Sequence, residues 1–267
     1  MHNYSPSELS FVAIQAALNA GDILRRGFGT EFAIESKHGK QNLVTEYDKA
    51  SEKYIISTIF QHFPDHSILA EESGSIQKNK KSVTWIIDPL DGTVNFARNI
   101  PVFSVSIAAA IEDTIVSGVV YQPMTEELFV AEKGKGAYLN GKRLRVSCVE
   151  QFDHALLSTG FPYDVDQNPL HCVDKFAQMQ IKGIPIRRLG SAAIDLSYVA
   201  AGRFDVFWEV GLHPWDMAAG KLLVEEASGT VTHWDGSPHT VFGYKTLLAS
   251  NGCLHQAMIE QLREEKT

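Results

Sequence analysis

The chain has 267 residues, of which 44% are hydrophobic and 21% charged, so it is long enough to bury a large core and has the composition of an ordinary globular protein. Its formal net charge is -8 at pH 7. An acidic surface repels phosphate backbones, which disfavours extensive nucleic-acid binding. A protein of this charge that handles phosphate must neutralise it locally, and bound cations are the natural means.

Targeting and redox signals are absent from the sequence pattern. The amino terminus lacks the basic and apolar segments of a signal peptide, and the most apolar stretch, residues 102–111, is too short to span a bilayer. Cys148, Cys172 and Cys253 form no paired motif, which indicates free thiols in a reducing compartment. We therefore expect a cytoplasmic protein with no membrane span.

Helices open the chain and strands follow. Ser5, Pro6 and Glu8 provide a cap, a first-turn proline and a capping box for a helix that ends at Gly27 or Gly29. A second helix is predicted from about residue 45 until shortly before residue 64. Predicted strands cover residues 66–70, 83–87, 103–110, 114–121 and 127–131, the last three as an antiparallel meander. A turn at residues 140–141 (Asn-Gly) predicts a hairpin between residues 137–139 and 144–146.

After about residue 150 strands alternate with helices, which favours a layered arrangement. Predicted strands cover residues 155–158, 185–188, 204–209, 230–233 and 246–249. Predicted helices cover residues 170–180, 191–201 and 215–227, with a last helix from about residue 254. Because no flexible linker is visible, we expect two tightly packed halves, residues 1–150 and 151–267, or a single domain.

The strongest chemical motif is a pair of aspartates at the end of a predicted strand. Asp88 and Asp91 would repel each other unless a cation lay between them, and oxygen ligands of this kind, with the Leu90 carbonyl, suit Mg²⁺. Gly92 and Thr93 would begin a helical turn whose amides favour an anion such as phosphate. Taken alone, the segment is equally typical of a turn capped by its own aspartates.

Two further acidic sites occur in similar positions. Glu71 and Glu72 follow a predicted strand, and because adjacent residues of an extended chain point opposite ways, only one of them can face a shared site. We favour Glu71, with Glu72 as a local structural partner. Asp216 lies in the first turn of a predicted helix, where a carboxylate also stabilises the helix dipole without any other role.

Several motifs together resemble the signatures of the inositol monophosphatase family, in the family's order and over nearly the whole chain. They lie at residues 70–74, 85–93, 189–193, 200–203 and 215–220, and the segment at residues 159–163 is similar to bacterial members. The resemblance implies a mixed α and β fold, a layered α-β-α-β-α sandwich of the sugar-phosphatase type. It also implies Mg²⁺ as cofactor, two to three ions per site, inhibition by Li⁺, and a homodimer.

The resemblance assigns roles to individual residues. Glu71, Asp88, Asp91 and Asp216 would bind metal, with Leu90 ligating through its carbonyl. Glu71, Thr93 and Asp48 would be the catalytic residues. The implied substrate-binding residues are Asp91, Gly92, Thr93, Gly190, Ser191, Ala192 and Glu209. Lys37 matches a lysine on a mobile loop, although Asn42 stands where many relatives carry an aspartate.

The sequence thus favours a Mg²⁺-dependent phosphomonoesterase that hydrolyses inositol 1-phosphate or a related polyol or sugar phosphate by attack of an activated water. Relatives with the same metal core act on fructose 1,6-bisphosphate, adenosine 3′,5′-bisphosphate or histidinol phosphate, and these substrates remain alternatives. A different alternative is an added non-catalytic role in binding the transcription or RNA-processing machinery, which the acidic charge does not support. Arg187 and Arg188 are interpreted as surface or interface residues.

Overall fold

The computed structural model describes residues 5–36, 43–78, 83–243 and 246–263. The α-helices of these ranges are α1 (Pro6–Gly27), α2 (Glu46–His62), α3 (Thr93–Ala97), α4 (Cys172–Ile181), α5 (Ala192–Ala200), α6 (Pro214–Glu226) and α7 (His255–Leu262). Within the same ranges, none of the helices combines the length and the apolar character that crossing a membrane requires.

The strands form one hairpin and two sheets. The hairpin pairs β1 (Ile34–Ser36) with β2 (Leu43–Thr45). The larger sheet contains β3 (Ser67–Ala70), β4 (Gly74–Ile76), β5 (Thr84–Asp91), β6 (Ser104–Ile111), β7 (Thr114–Gln122), β8 (Glu127–Glu132), β9 (Gly136–Leu139) and β10 (Lys142–Arg143). The smaller sheet contains β11 (Leu157–Thr159), β12 (Ile186–Arg187), β13 (Val206–Val210), β14 (Thr230–Thr232) and β15 (Thr246–Ser250).

The first two helices begin at capping boxes. Ser5 accepts from the Glu8 amide while the Glu8 carboxylate accepts from the Ser5 amide, as the sequence predicts. At α2 the same reciprocal pair is formed by Thr45 and Asp48. The capping box therefore places the Asp48 side chain at the start of α2, close to the end of β5.

The larger sheet has the strand order β10-β9-β8-β7-β6-β5-β3-β4. Strand β3 runs parallel to β5, and the other neighbours are antiparallel. Between Asp88 and Asp91 the pairing of β5 with β6 slips by an irregularity, because Pro89 has no amide hydrogen to donate to the ladder. The predicted strand at residues 83–87 therefore continues through the bulge to Asp91.

Three apolar clusters join the helix layers to the sheets. Trp85 and Ile87 face α1 and α2, whereas Ile86 between them faces α5 and α6, as the period of two in a strand requires. The smaller sheet covers the other side of α5 and α6 through Phe207, and its outer face carries α4 and α7 against Trp208. The order is helix, sheet, helix, sheet, helix, which confirms the predicted layered sandwich.

Most predicted elements occur within a few residues of their expected bounds, with specific differences. The Asn-Gly turn forms the predicted hairpin, but its second strand is Lys142–Arg143 rather than residues 144–146, because the turn is closed directly by Lys142 opposite Leu139. Strands β1, β2 and β4 have only three residues each, too short to give a periodic pattern. The boundary expected near residue 150 stays a prediction.

Candidate active site

A cavity of about 660 Å³ opens where the carboxyl ends of β3 and β5 meet the amino ends of α5 and α6. Eleven of the residues selected from the sequence line it: Glu71, Asp88, Leu90, Asp91, Gly92, Thr93, Gly190, Ser191, Ala192, Glu209 and Asp216. Residues distant in the chain, from 71 to 216, are thus brought to one site. Lys37 lies outside the described residues.

Strand pairing explains how Asp88 and Asp216 meet. Asp88 stands opposite Ser106 in the β5–β6 ladder. The Ser106 hydroxyl donates to the backbone carbonyl of Trp215 at 3.2 Å, which holds the start of α6 against the sheet. Asp216 is the third residue of α6, and one of its carboxylate oxygens accepts from the His213 amide at 2.7 Å. Asp216 therefore caps the start of α6 and lines the cavity at the same time.

Asp91 is tied to the segment that forms the opposite wall. One carboxylate oxygen, Oδ2, accepts from the Ser191 hydroxyl at 2.6 Å and from the Ala193 amide at 2.8 Å. These two donors belong to the first turn of α5, which Ser191 caps. The hydrogen bonds fix the orientation of the Asp91 carboxylate relative to this segment.

Burial and like charge act together on the aspartates. Burial raises the pKa of Asp88 well above its ordinary value, and the charges of Glu71, Asp91 and Asp216 raise it further. Burial raises the pKa of Asp91 to about 6, against the hydrogen bonds from Ser191 and Ala193. The pKa of Asp216 is raised by burial and by Asp91. Mutual repulsion of this kind is what a bound cation would relieve.

The donor chemistry fits a hard divalent cation. Glu71, Asp88, Asp91 and Asp216 offer carboxylate oxygens, and the Leu90 carbonyl oxygen lies in the same cavity, so every candidate ligand is oxygen. In the part of the chain that the structure describes, no group of three acidic, His or Cys side chains is drawn close enough to hold an ion as it stands.

The adjacent glutamates, Glu71 and Glu72, follow directly after β3. Glu71 lines the cavity, whereas the Glu72 amide donates to a carboxylate oxygen of Glu52 on α2 at 2.9 Å. The carbonyl of Ile87 accepts from the Glu71 amide at 3.2 Å, which continues the parallel β3–β5 pairing beyond the end of β3. The pairing aligns Glu71 with the start of the aspartate motif.

Thr93 and Asp48 form a polar pair beside the aspartates. The Thr93 hydroxyl lies 3.0 Å from Asp48 Oδ1 and 3.0 Å from the Leu90 carbonyl oxygen, and its single hydrogen can point to either. The second oxygen of Asp48 accepts from the amide and hydroxyl of Thr45. Burial raises the pKa of Asp48 to about 6, against these hydrogen bonds.

The wall away from the aspartates contains two further carboxyl groups. Burial and the charge of Asp91 raise the pKa of Glu209 to about 8, with Arg188 acting in the opposite direction. Asp195, which the sequence reasoning missed, is 2% exposed and lines the same cavity. Burial and the charge of Glu209 raise its pKa.

Arg188 is an exposed residue, as interpreted from the sequence, but its position at the surface is a specific one. It lines the cavity, and its guanidinium group lies 5.2 Å from the ring centroid of Phe161. The doublet at residues 187–188 gave no sign of this, because the orientation of a side chain that directly follows a two-residue strand depends on the loop that packs against it. Asn95 and Asp195 were also missed, as each lies within a helix pattern that predicts no chemistry.

Comparison with known proteins identifies the kind of protein that this chain resembles. The sequence model described as "Inositol monophosphatase family" matches residues 5–267. The chain is 44% identical over 255 residues to the Nus factor SuhB of Escherichia coli, with 95% of each chain covered. It is 43% identical over 254 residues to the inositol-1-monophosphatase of Caulobacter vibrioides, covering 94% of this chain and 99% of the relative.

Solved structures give the same picture. The extragenic suppressor protein suhB of Bartonella henselae is 38% identical, with a TM-score of 0.90 over 96% of this chain and 99% of the other. The IMPase of Thermotoga maritima is 36% identical, with a TM-score of 0.86 over 96% of each chain.

Proposed function

The chain belongs to the inositol monophosphatase family, and from this premise we propose that it is a Mg²⁺-dependent phosphomonoesterase acting on inositol 1-phosphate or a related polyol phosphate. Family membership supports a phosphatase-type activity, and the family is generally metal-dependent. One observation carries the proposal: four carboxylates from separate parts of the chain line one cavity beside the turn at Gly92 and Thr93.

The reaction adds water to the phosphorus, breaks the bond from phosphorus to the alcohol oxygen, and returns a proton to that oxygen. Glu71, Asp88, Asp91, Asp216 and the Leu90 carbonyl would hold Mg²⁺, two to three ions in all, which neutralise the phosphate charge and make water more acidic. When the Thr93 hydroxyl donates its hydrogen bond to Asp48 Oδ1, the lone pairs of the hydroxyl oxygen can accept a hydrogen bond from a water molecule and orient it.

Phosphate would be oriented at the start of α3. The first amides of a helix have no partner within the helix and favour an anion, so the Gly92–Thr93 turn can bind phosphate oxygens in line with the incoming water. The released alcohol would face Glu209, whose carboxyl group can accept from substrate hydroxyls. Fructose 1,6-bisphosphate, adenosine 3′,5′-bisphosphate and histidinol phosphate remain alternative substrates.

A panel of phosphate esters, assayed for released phosphate with and without Mg²⁺, tests the activity and its substrate. We expect hydrolysis of inositol 1-phosphate only with the metal present, and inhibition by Li⁺. If the protein prefers one of the alternative esters, the assigned substrate would change and the phosphatase activity would stay. No release from any ester with Mg²⁺ would refute the proposal.

Asp91→Asn tests the carboxylate cluster directly. The amide keeps the shape of the side chain but removes the charge, so we expect kcat to fall by at least about 100-fold. The stabilisation that Mg²⁺ gives in a thermal melt should shrink as well. Asp113→Asn, at an exposed turn after β6, is the matched control and should retain wild-type turnover. Near-normal kcat for Asp91→Asn would contradict the assigned role.

A second candidate function rests on the relatives named Nus factor SuhB, which match at 44% identity. By that likeness we propose an added non-catalytic role in binding the transcription machinery, with protein rather than nucleic acid as the contact because the net charge is -8. Recovery of the same partners by wild type and by Asp91→Asn would separate this role from catalysis.

A homodimer, also proposed from the family likeness, is measured directly by sedimentation equilibrium.

A further inference from the structure

The side chain of Asn95 joins three segments at the edge of the candidate active site. Its amide nitrogen donates to the backbone carbonyl of Val102 at 2.7 Å and to that of Leu189 at 2.8 Å. Both hydrogens of the amide group are thereby used, and each bond has good length for a neutral donor. The first bond closes the loop after α3, whereas the second crosses to a segment 94 residues away.

The contact is close because two glycines surround it. Gly190, with a φ of +82°, would place a Cβ 3.1 Å from the Asn95 amide nitrogen. Gly92, with a φ of +100°, would place a Cβ 3.0 Å from the Val102 carbonyl oxygen and 3.2 Å from that of Gly190. Side chains at either glycine would push the segments apart, so both positions need a residue without Cβ.

Asn95 and Asp91 hold the same wall segment from its two ends. Asn95 fixes the carbonyl of Leu189, and Asp91 fixes the hydroxyl of Ser191 and the amide of Ala193. The residues between these anchors, Gly190 to Ala192, line the cavity. The position of this wall relative to the Gly92–Thr93 turn therefore depends on both contacts, of which only the Asp91 contact involves a proposed metal ligand.

We propose that Asn95 is a positioning residue that sets the wall at residues 189–192 at the distance from the phosphate turn that the alcohol part of the substrate requires. The inference rests on the proposed function. Because Asp91 keeps its own hydrogen bonds when Asn95 is changed, recognition of the alcohol depends on Asn95 more strongly than the phosphoryl-transfer step does. Small displacements of a positioning group are costly, with ~1 Å worth up to about 100-fold.

The test compares two esters with different alcohol parts, inositol 1-phosphate and the flat aryl ester p-nitrophenyl phosphate. For Asn95→Ala we expect kcat/KM on inositol 1-phosphate to fall about tenfold more than on the aryl ester, mainly through KM. Arg98→Ala, which truncates an exposed side chain at the end of the same helix, should change kcat/KM on both esters by the same factor. Asn95→Ser keeps one hydrogen-bond donor on a shorter side chain. Its kcat/KM on inositol 1-phosphate should lie between those of the wild type and Asn95→Ala. If Asn95→Ala does not fold, Asn95→Ser takes its place in the test.

Hydrogen exchange provides a readout that does not need activity. The amides of residues 190–193 should exchange faster in Asn95→Ala than in Arg98→Ala. Equal losses on the two esters, or unchanged exchange in this segment, would overturn the proposal. If the wild type hydrolysed neither these two esters nor any ester of the panel, the proposed function would fail, and the exchange rates would still decide whether Asn95 holds the wall.

Discussion

The hydroxyl of Thr93 has one hydrogen to donate and two acceptors within reach. It lies 3.0 Å from both Asp48 Oδ1 and the Leu90 carbonyl oxygen. The Leu90 carbonyl, a proposed metal ligand, and Asp48, a proposed catalytic residue, therefore compete for the same hydrogen. Ion binding to the Leu90 carbonyl would direct that hydrogen to Asp48. In the proposed reaction this arrangement links ion binding to water activation.

Thr93→Val removes the hydroxyl and preserves the branched shape. We expect kcat to fall by about 100- to 10,000-fold, the usual contribution of a positioned proton acceptor, with a small change in KM. Thr93→Ser keeps the hydroxyl and should retain most of the turnover. Steady-state kinetics on inositol 1-phosphate provide the measurement, and a valine variant as active as the serine variant would refute the role of the hydroxyl.

At this scale the residues that stand in a sequence motif were predictable, whereas Asn95 and Asp195 were not. Asp88 and Asp91 stand in a motif whose charge repulsion itself indicates a cation. Asn95 and Asp195 carry no such signal, because their importance comes from carbonyls and carboxylates that lie far away in sequence. The roles of the predicted ligands and of Lys37 stay predictions.

Helix α6 approaches strand β7 unusually closely. A Cβ built on Gly118 would lie 3.0 Å from both the Cα and the carbonyl oxygen of Ala219. Backbone atoms cannot move aside as a flexible side chain can, so the absence of a Cβ at Gly118 determines how near α6 lies to the larger sheet. The same helix carries Asp216 at its first turn, and this distance therefore affects the candidate active site as well.

Gly118→Ala should destabilise the fold by about 1–3 kcal/mol, the usual effect of overpacking. Thr114→Ala, at the exposed start of the same strand, should change the free energy of unfolding by less than about 0.5 kcal/mol. Urea denaturation of the two variants and the wild type provides the comparison. Equal stability of Gly118→Ala and wild type would mean that α6 is free to shift away from β7.

Elements with local signals were predicted best. The capping box of Ser5 and Glu8 and the amphipathic pattern of α1 are encoded within consecutive residues, and the helix forms as expected. Helix α5 differs, because eight of its nine residues are buried between two sheets and it has no polar face to reveal its period.

The order of layers in the whole molecule could not be derived from local patterns. The alternation of strands and helices in the second half predicts layers but does not say which sheet covers which helix. That information lies in long-range contacts, such as Ile86 of the larger sheet and Phe207 of the smaller sheet meeting in one apolar cluster around α5 and α6. The resemblance to a family supplied the complete five-layer order.

A buried histidine that is not among the residues lining the cavity is expected to make the stability of the whole molecule depend on pH. His239 is 9% exposed, and its Nδ1 atom has no hydrogen-bond partner among the described residues. Its ring lies 4.8 Å from that of His233. Burial, followed by the charges of His233 and Lys221, lowers the pKa of His239 to about 4. Burial also lowers the pKa of His255.

His239 should therefore destabilise the fold in acid. Between its ordinary pKa and the lowered value, the unfolded chain binds the proton and the folded protein does not, so stability falls as the pH decreases from about 6.5 towards 4. The loss attributable to this ring is at most about 3 kcal/mol, and roughly 1–2 kcal/mol once partial solvent access is allowed for. In His239→Gln the decrease of unfolding free energy over this range should be smaller by that amount. Thr114→Ala, an exposed substitution that involves no titratable group, should keep the wild-type slope. Denaturant titrations at a series of pH values measure the slopes, and identical slopes for His239→Gln and wild type would exclude His239 as the source.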